Sequence, residues 1–354
     1  MSPTPAYGPL STLCHLRIGR KGWGWVWSGL PGSNAPERWC VLVLQAYQNG
    51  RLLVRHINRL AIGALKALRS PHDGDLTTAL IYSRIVVMGR SGRLPADPRF
   101  DAPSISVHEA ANSLRLPYET VRTRVAALLA RGVCERDGKG VLVPDAVFYS
   151  PERIEARQAL TRSVSQSAAE MAALGLLPNC YLGVEGAASF PADNAGEIAL
   201  PFKRFLCASF VEYNSVFESA DRALVFMALI DANTVHLLGD TAAAWRFAEE
   251  DTPPPDSERR PVSIRSLAEA LGAPPETVRR HMGRLEAQGY AERCPAGGYI
   301  APTRLFTGST EVRQAASRIP SRFLDMMQTL RLAGFPAAAA APVTEGFDRR
   351  LSAA

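Results

Sequence analysis

The stretch Ser106-Val-His-Glu-Ala-Ala-Asn-Ser-Leu-Arg-Leu-Pro-Tyr-Glu-Thr-Val-Arg122 returns later in the chain as Ser263-Ile-Arg-Ser-Leu-Ala-Glu-Ala-Leu-Gly-Ala-Pro-Pro-Glu-Thr-Val-Arg279. The offset is a constant 157 residues, and identity continues at Leu128/Leu285, Ala130/Ala287, Gly132/Gly289, Glu135/Glu292, Arg136/Arg293 and Gly140/Gly297. An ungapped match of this length marks an internal repeat, which organises the rest of the reading.

Each copy reads as helix, tight turn, helix, hairpin. Ser106 and Glu109 have capping-box spacing, which predicts a helix from there to about Leu114. Pro117, like Pro274-Pro275 in the second copy, sits at the mouth of a second helix, where a missing N–H costs nothing. On that helix Val121, Val125 and Leu128, matched by Val278, Met282 and Leu285, form the apolar stripe. Gly132 and Gly289 then stop the helices. Val133 to Val143 places strand residues on both sides of Asp137-Gly138, and Tyr290 to Ala301 is a longer-looped hairpin.

Upstream the similarity survives only as pattern. Asp75 and Asp221 each open an apolar helix that they are suited to cap. Before the first, Leu53, Ile57, Leu60, Ala61, Ala64, Leu65 and Leu68 recur at helical spacing, with Arg51, Arg55, Arg59, Lys66 and Arg69 mostly off that face. Leu206, Phe210, Tyr213 and Phe217 mark the corresponding stretch of the second copy. Flanking helices are therefore expected at about 51–69, 75–89, 152–175, 203–238 and 311–333, with proline-rich inserts at 90–104 and 239–261. The expected organisation is a basic, Trp/Gly-rich leader over 1–49, flexible or mis-started, a first unit over 50–178 and a linker over 179–201. A second unit over 202–336 and a disordered Ala-rich tail over 337–354 complete it.

Composition bounds the function. With 354 residues, 47% hydrophobic and 21% charged, the chain is too core-rich for a disordered protein, and its length suits two domains. No apolar run is long enough to span a bilayer, and no signal peptide is evident. The six cysteines are far apart and lack zinc spacing, so they read as reduced thiols of a cytoplasmic protein. Of the net charge of +6, residues 1–70 alone contribute +8, nine basic side chains against Glu37, and the remainder carries −2. Net charge by itself is thus no argument for nucleic acid. The six histidines are scattered and no Gly-rich loop has phosphate-binding spacing, so the expectation is no enzyme, no cofactor and no metal.

The order Leu-x-x-Pro-x-Glu-Thr-Val-Arg, helix, Gly, hairpin resembles the winged helix-turn-helix domains of bacterial transcription regulators of the MarR, GntR and Lrp groups. The resemblance covers roughly 40 residues of each copy. It implies a mainly α fold with small β-hairpin wings: two tandem winged helix-turn-helix units with flanking helices. One departure is that the turn glycine, present as Gly272, is replaced by Arg115. The resemblance also implies double-stranded DNA as partner, with the second helix in the major groove. Outward positions are then Glu119, Arg122 and Thr123 in one copy and Glu276, Arg279 and Arg280 in the other, where Arg can pair with guanine and Glu with cytosine. Tyr118, Thr120 and Thr277 suit phosphates, and Arg136, Lys139 and Arg293 sit on the wings.

These readings predict a cytoplasmic, bacterial-type transcription regulator acting as a covalent pseudo-dimer on a bipartite site. The alternative is a winged-helix module for protein interaction or for chromosome or replicon maintenance, without sequence-specific regulation. Further dimerisation and a small-molecule effector stay open.

Overall fold

The computed structural model describes residues 15–19, 22–26, 49–90, 104–138, 140–177, 195–308 and 310–332. Met1–Val43 and Leu44–Ala354 are separate compact units. The first carries an antiparallel hairpin of β1 (His15–Gly19) and β2 (Gly22–Val26), with Leu16 opposite Trp25 and Gly19 opposite Gly22. No regular element was expected here. Alternation of Leu16, Arg17 and Ile18, and of Trp23, Gly24 and Trp25, is a period-two signal that the Gly-rich composition masked. Of the expected 179–201 linker and 337–354 tail, only 195–201 is described, and it is helical.

In the second unit α1 (Gly50–Arg69) and α2 (Leu76–Arg90) precede α3 (Val107–Leu114), α4 (Tyr118–Ala130), β3 (Glu135–Asp137) and β4 (Gly140–Leu142). A short α5 (Asp145–Phe148) and the long α6 (Pro151–Ala173) follow. The order returns as α7 (Ala195–Phe217), α8 (Ala220–Thr234), an inserted α9 (Thr241–Arg246), α10 (Ile264–Leu271) and α11 (Pro275–Ala287). Then come β5 (Glu292–Arg293), β6 (Tyr299–Ile300), α12 (Arg304–Thr307) and α13 (Thr310–Leu332).

Helix packing in the two halves follows one pattern. Helix α1 lies against α2, α6, α8 and α13, while α7 lies against α8, α13, α2 and α6. Exchanging α1 for α7, α2 for α8 and α6 for α13 turns one set of contacts into the other, and α2 meets α8 directly. Residues of both halves share one apolar core, in which the Phe202, Phe217, Phe226 and Phe323 rings are fully buried. Each such ring contributes about 1.5–3 kcal/mol by leaving water.

Helix α1 is held by the second half at both ends. Its first N–H groups, at Arg51 and Leu52, donate to the Ala248 carbonyl at 3.1 and 3.2 Å. At its other end Lys66 donates to Ala270 O at 3.1 Å and Arg69 donates to Leu271 O, which satisfies carbonyls at the C-terminus of α10. Although they lie off the apolar stripe, Arg55 and Arg69 are buried, because four helices cover α1 and little of its circumference is left to water.

Three further expectations change. The single helix expected over 203–238 is two, broken where Glu218 takes φ 56°. Ser219 rather than Asp221 caps the second piece, accepting from the Arg222 N–H at 3.5 Å, and Asp221 falls inside its first turn. Asp75 does cap α2, accepting from the Thr78 N–H at 3.0 Å. The 239–261 insert contains α9, started by Asp240, which accepts from the Ala242 and Ala243 N–H groups. Among the described residues no helix is long and apolar enough to cross a membrane.

Candidate nucleic-acid interface

Residues 106–118 and 263–275 are built by the same local bonds. Ser106 accepts from the Glu109 N–H, and Ser263 from the Ser266 N–H, both at 3.0 Å. Each first helix ends in a left-handed residue, Arg115 at φ 50° and ψ 43° or Gly272 at φ 59° and ψ 43°. The residue after it then donates back, Leu116 to Ala111 O and Ala273 to Ala268 O, both at 3.0 Å. Gly272 adopts this conformation without a Cβ penalty, whereas Arg115 adopts it against one. Pro117 and Pro274 then open α4 and α11 with φ −57° and −58°.

Val121, Val125 and Leu128 are buried, as are Val278, Met282 and Leu285, so each apolar stripe faces inward against α2 or α8. Gly132 and Gly289 have φ 67° and 74°, which turns the chain into its wing. In each wing a third strand adds one bridge, Ile105 to Val141 and Val262 to Tyr299.

Asn233 on α8 seats the second wing. It is fully buried, and its amide donates to Arg260 O at 2.7 Å and Tyr299 O at 3.0 Å while its oxygen accepts from the Ala301 N–H at 2.9 Å. One side chain thus joins the strand entering α10, the wing and the supporting helix. Arg293 on that wing donates to the Tyr299 hydroxyl at 2.7 Å.

The outward residues named from sequence separate by copy. On α11, Glu276, Arg279 and Arg280 are exposed and Thr277 is half-buried. On α4, Tyr118, Glu119, Arg122 and Thr123 are exposed and Thr120 is half-buried. Arg136 and Arg293 lie on β3 and β5, the strands that open the two wings, with Arg136 exposed, and Lys139 lies outside the described residues. Arg122 pairs with Glu119 at 2.8 Å, and Arg279 hydrogen-bonds Glu276 one turn back. In both copies the acid therefore pre-orients the arginine along its helix.

Between the two helices sits a mixed-charge seam. Arg124 binds Asp75 at 2.6 Å and Arg131 binds Asp73 at 2.8 Å. Burial, then repulsion from Asp75, pushes the Asp221 carboxyl up, with Arg69, Arg280 and Arg124 opposing. His281 on α11 is half-buried; burial lowers its pKa, helped by Arg280 and Arg222. The sequence reading also passed over Arg284, exposed one turn beyond Arg280. Its i+4 spacing from Arg280 was the available signal.

Residues 258–292 match a family described as winged helix-turn-helix DNA-binding. The match takes in α10, α11 and the start of the wing, with Glu276, Thr277, Arg279 and Arg280 inside it. The chain therefore carries a winged helix-turn-helix of the DNA-binding kind in its second half. No curated protein and no solved structure matches the chain.

Proposed function

We propose that this protein is a transcription regulator that grips duplex DNA with two tandem winged helices on one chain, a pseudo-dimer with two unequal readers. The observation that carries the reading is α11: a helix within the matched DNA-binding segment that presents Arg279, Arg280 and Arg284 outward. Support for a second reader comes from residues 105–143, which repeat the caps, left-handed turn, buried stripe and three-stranded wing of 262–300. In this reading Arg122, Arg279 and Arg280 meet base edges, with Glu119, Glu276 and Thr123 beside them. Tyr118, Thr120 and Thr277 take phosphates, and Arg136, Lys139 and Arg293 contact the backbone from the wings.

The test is binding to duplex DNA as salt is raised, followed by footprinting on selected sequences. A log–log slope near −0.9 per phosphate contact, and an asymmetric site in two parts, are the expected results. Arg279→Ala with Arg280→Ala weakens specific binding more than Arg122→Ala, each lost guanine contact costing about 1–3 kcal/mol of discrimination. Equal affinities for all three proteins would remove the assigned readers. A palindrome bound by two chains would refute the pseudo-dimer.

A specific observation favours protein docking for the first copy. Where α11 exposes Arg284, α4 exposes Ala127, next to exposed Ala126, and Arg124 and Arg131 are occupied by Asp75 and Asp73. Footprints that cover only the part of the site contacted by α11 would support it.

A further inference from the structure

A cleft enclosing about 880 Å³, counted to its open mouth, lies among α1, α8 and the first half of α13. Much of that volume is open to solvent, and the enclosed part is about 90 Å³, so a ligand there would sit partly exposed. Three arginines converge on it. Arg55, 6% exposed, lines the cleft with no acceptor for either terminal nitrogen among the described residues. Arg259, 5% exposed, likewise has Nη1 without an acceptor, although its Nε side lies 3.6 Å from Asp256 and 3.3 Å from the Thr303 hydroxyl. Arg51 spends its donors on the Glu249 and Glu250 carbonyls.

The acids nearby leave Arg55 uncompensated. Glu250 pairs with Arg313 at 3.7 Å and Asp256 with Arg259, and neither reaches Arg55. Burial, then repulsion from Arg51 and Arg259, pushes the Arg55 guanidinium down to about 10. A buried cation without partners is costly, and water filling the cleft supplies acceptors but no countercharge. The opposite walls are apolar: Phe226, Ile230, Phe306, Val312 and Pro320.

In the first half a similar arginine cluster spends most of its donors internally, with Arg157 Nε lacking a partner among the described residues. Arg90 and Arg157 lie over the Phe148 ring at 3.8 and 4.0 Å, as Arg51 and Arg259 lie over the Phe306 ring at 5.6 and 5.0 Å. There Arg90 binds Asp145 at 2.5 Å, and Arg157 donates to Phe148 O at 2.6 Å. In the second half Arg55 keeps both terminal nitrogens without an acceptor among the described residues, beside an open cleft.

We propose that this cleft binds a small apolar monocarboxylate, aromatic in the best case, with its carboxylate on Arg55 and Arg259 and its body against Phe226, Phe306 and Val312. The site stands apart from the DNA-binding reading and is tested without DNA. Titration calorimetry and thermal melting of the full chain are run with benzoate and 2-naphthoate, and with benzamide and 2-naphthamide as neutral isosteres. Both acids bind at up to millimolar concentration and raise the melting temperature, and the amides do neither. Arg55→Met weakens the acids by about tenfold or more, while melting at or above the wild-type temperature without ligand because a lone buried charge is gone. Ile230→Trp fills the cleft and blocks the acids with Arg55 intact. Absence of binding by either acid, equal binding by acids and amides, or full binding by Arg55→Met or Ile230→Trp would each overturn the proposal.

Discussion

Replacing Asn233 by Asp changes one atom type at the point where the wing, the strand entering α10 and α8 meet. In the native protein the amide nitrogen donates to two carbonyls and the amide oxygen accepts from one N–H, all within 3.0 Å, at a site closed to water. In Asn233→Asp one oxygen keeps the Ala301 N–H. The other then faces the Arg260 and Tyr299 carbonyl oxygens, acceptor against acceptor. Two donated bonds are lost and a buried carboxylate is left against like partial charges, a penalty of about 1–3 kcal/mol for each unsatisfied group and about 3–5 kcal/mol in all. Against a total stability of roughly 5–15 kcal/mol this is a large share. The charge makes the defect depend on pH with a defined sign. The new carboxyl titrates in the folded state above its unfolded value, near 3.9, so the folded state holds the extra proton. The deficit is therefore smallest below about pH 4, where the protonated carboxyl of the variant can donate to one carbonyl, and it grows as pH rises. Urea unfolding of wild type, Asn233→Asp and Asn233→Ala at low and neutral pH measures this. Wild-type stability in Asn233→Asp at neutral pH, or a deficit independent of pH, would refute the reasoning.

Arg115→Gly relieves a left-handed residue and is expected to stabilise by up to about 1 kcal/mol. Gly272→Arg loses about 1–2 kcal/mol, since its Cβ also comes within 3.2 Å of Lys66 Cε; thermal melts of both variants check the opposite signs. Burial, with Arg153 and Arg157 adding repulsion, pushes the Lys203 ammonium down to about 8 from 10.5. Below pH 8 both states are protonated and the folded state carries the full penalty, so wild-type stability rises as pH climbs from about 8 to 10.5. Lys203→Met removes that rise and is more stable at neutral pH by about 3 kcal/mol, as read by melts across the range. Burial raises the Glu212 carboxyl, but hydrogen bonds from Arg318 and Arg322 overcome it and hold the group below its ordinary value. Its stabilisation is present above the unfolded pKa and is lost as pH falls through the folded one, so Glu212→Gln flattens the acid limb of the stability curve.

What was legible in the sequence was local and repeated. The caps at Ser106 and Ser263, the glycine stops and the hairpins are decided within a few residues, and the similar stretches at 106–122 and 263–279 point to the same signals. The outward arginines of α11 follow from its buried stripe by helical spacing alone. What escaped depends on distant neighbours. Arg55 and Arg69 occupy the side of α1 that an isolated helix would turn to water, and only α8, α13 and the end of α10 bury them. The break at Glu218 carries no Gly or Pro, and its only local sign is the pair of capping residues Ser219 and Asp221 just after it. In the 239–261 insert the prolines at 253–255 mark irregular chain, but they lie beyond the end of α9, whose start Asp240 caps.

The placement of α1 has a consequence for synthesis. Its apolar face, with Leu52, Leu53 and Ile57, is covered in part by α13, whose first residue is 241 positions past Arg69. At ribosomal speeds of roughly 5–20 residues per second, α1 waits about 12–48 s for that cover. During this interval α2, α6 and later α8 cover part of α1, and the side that α13 covers stays open to water. The protein thus reaches its working shape only after release of its C-terminal helix, and a premature stop anywhere before residue 310 yields a product for chaperones and proteases rather than a shortened regulator.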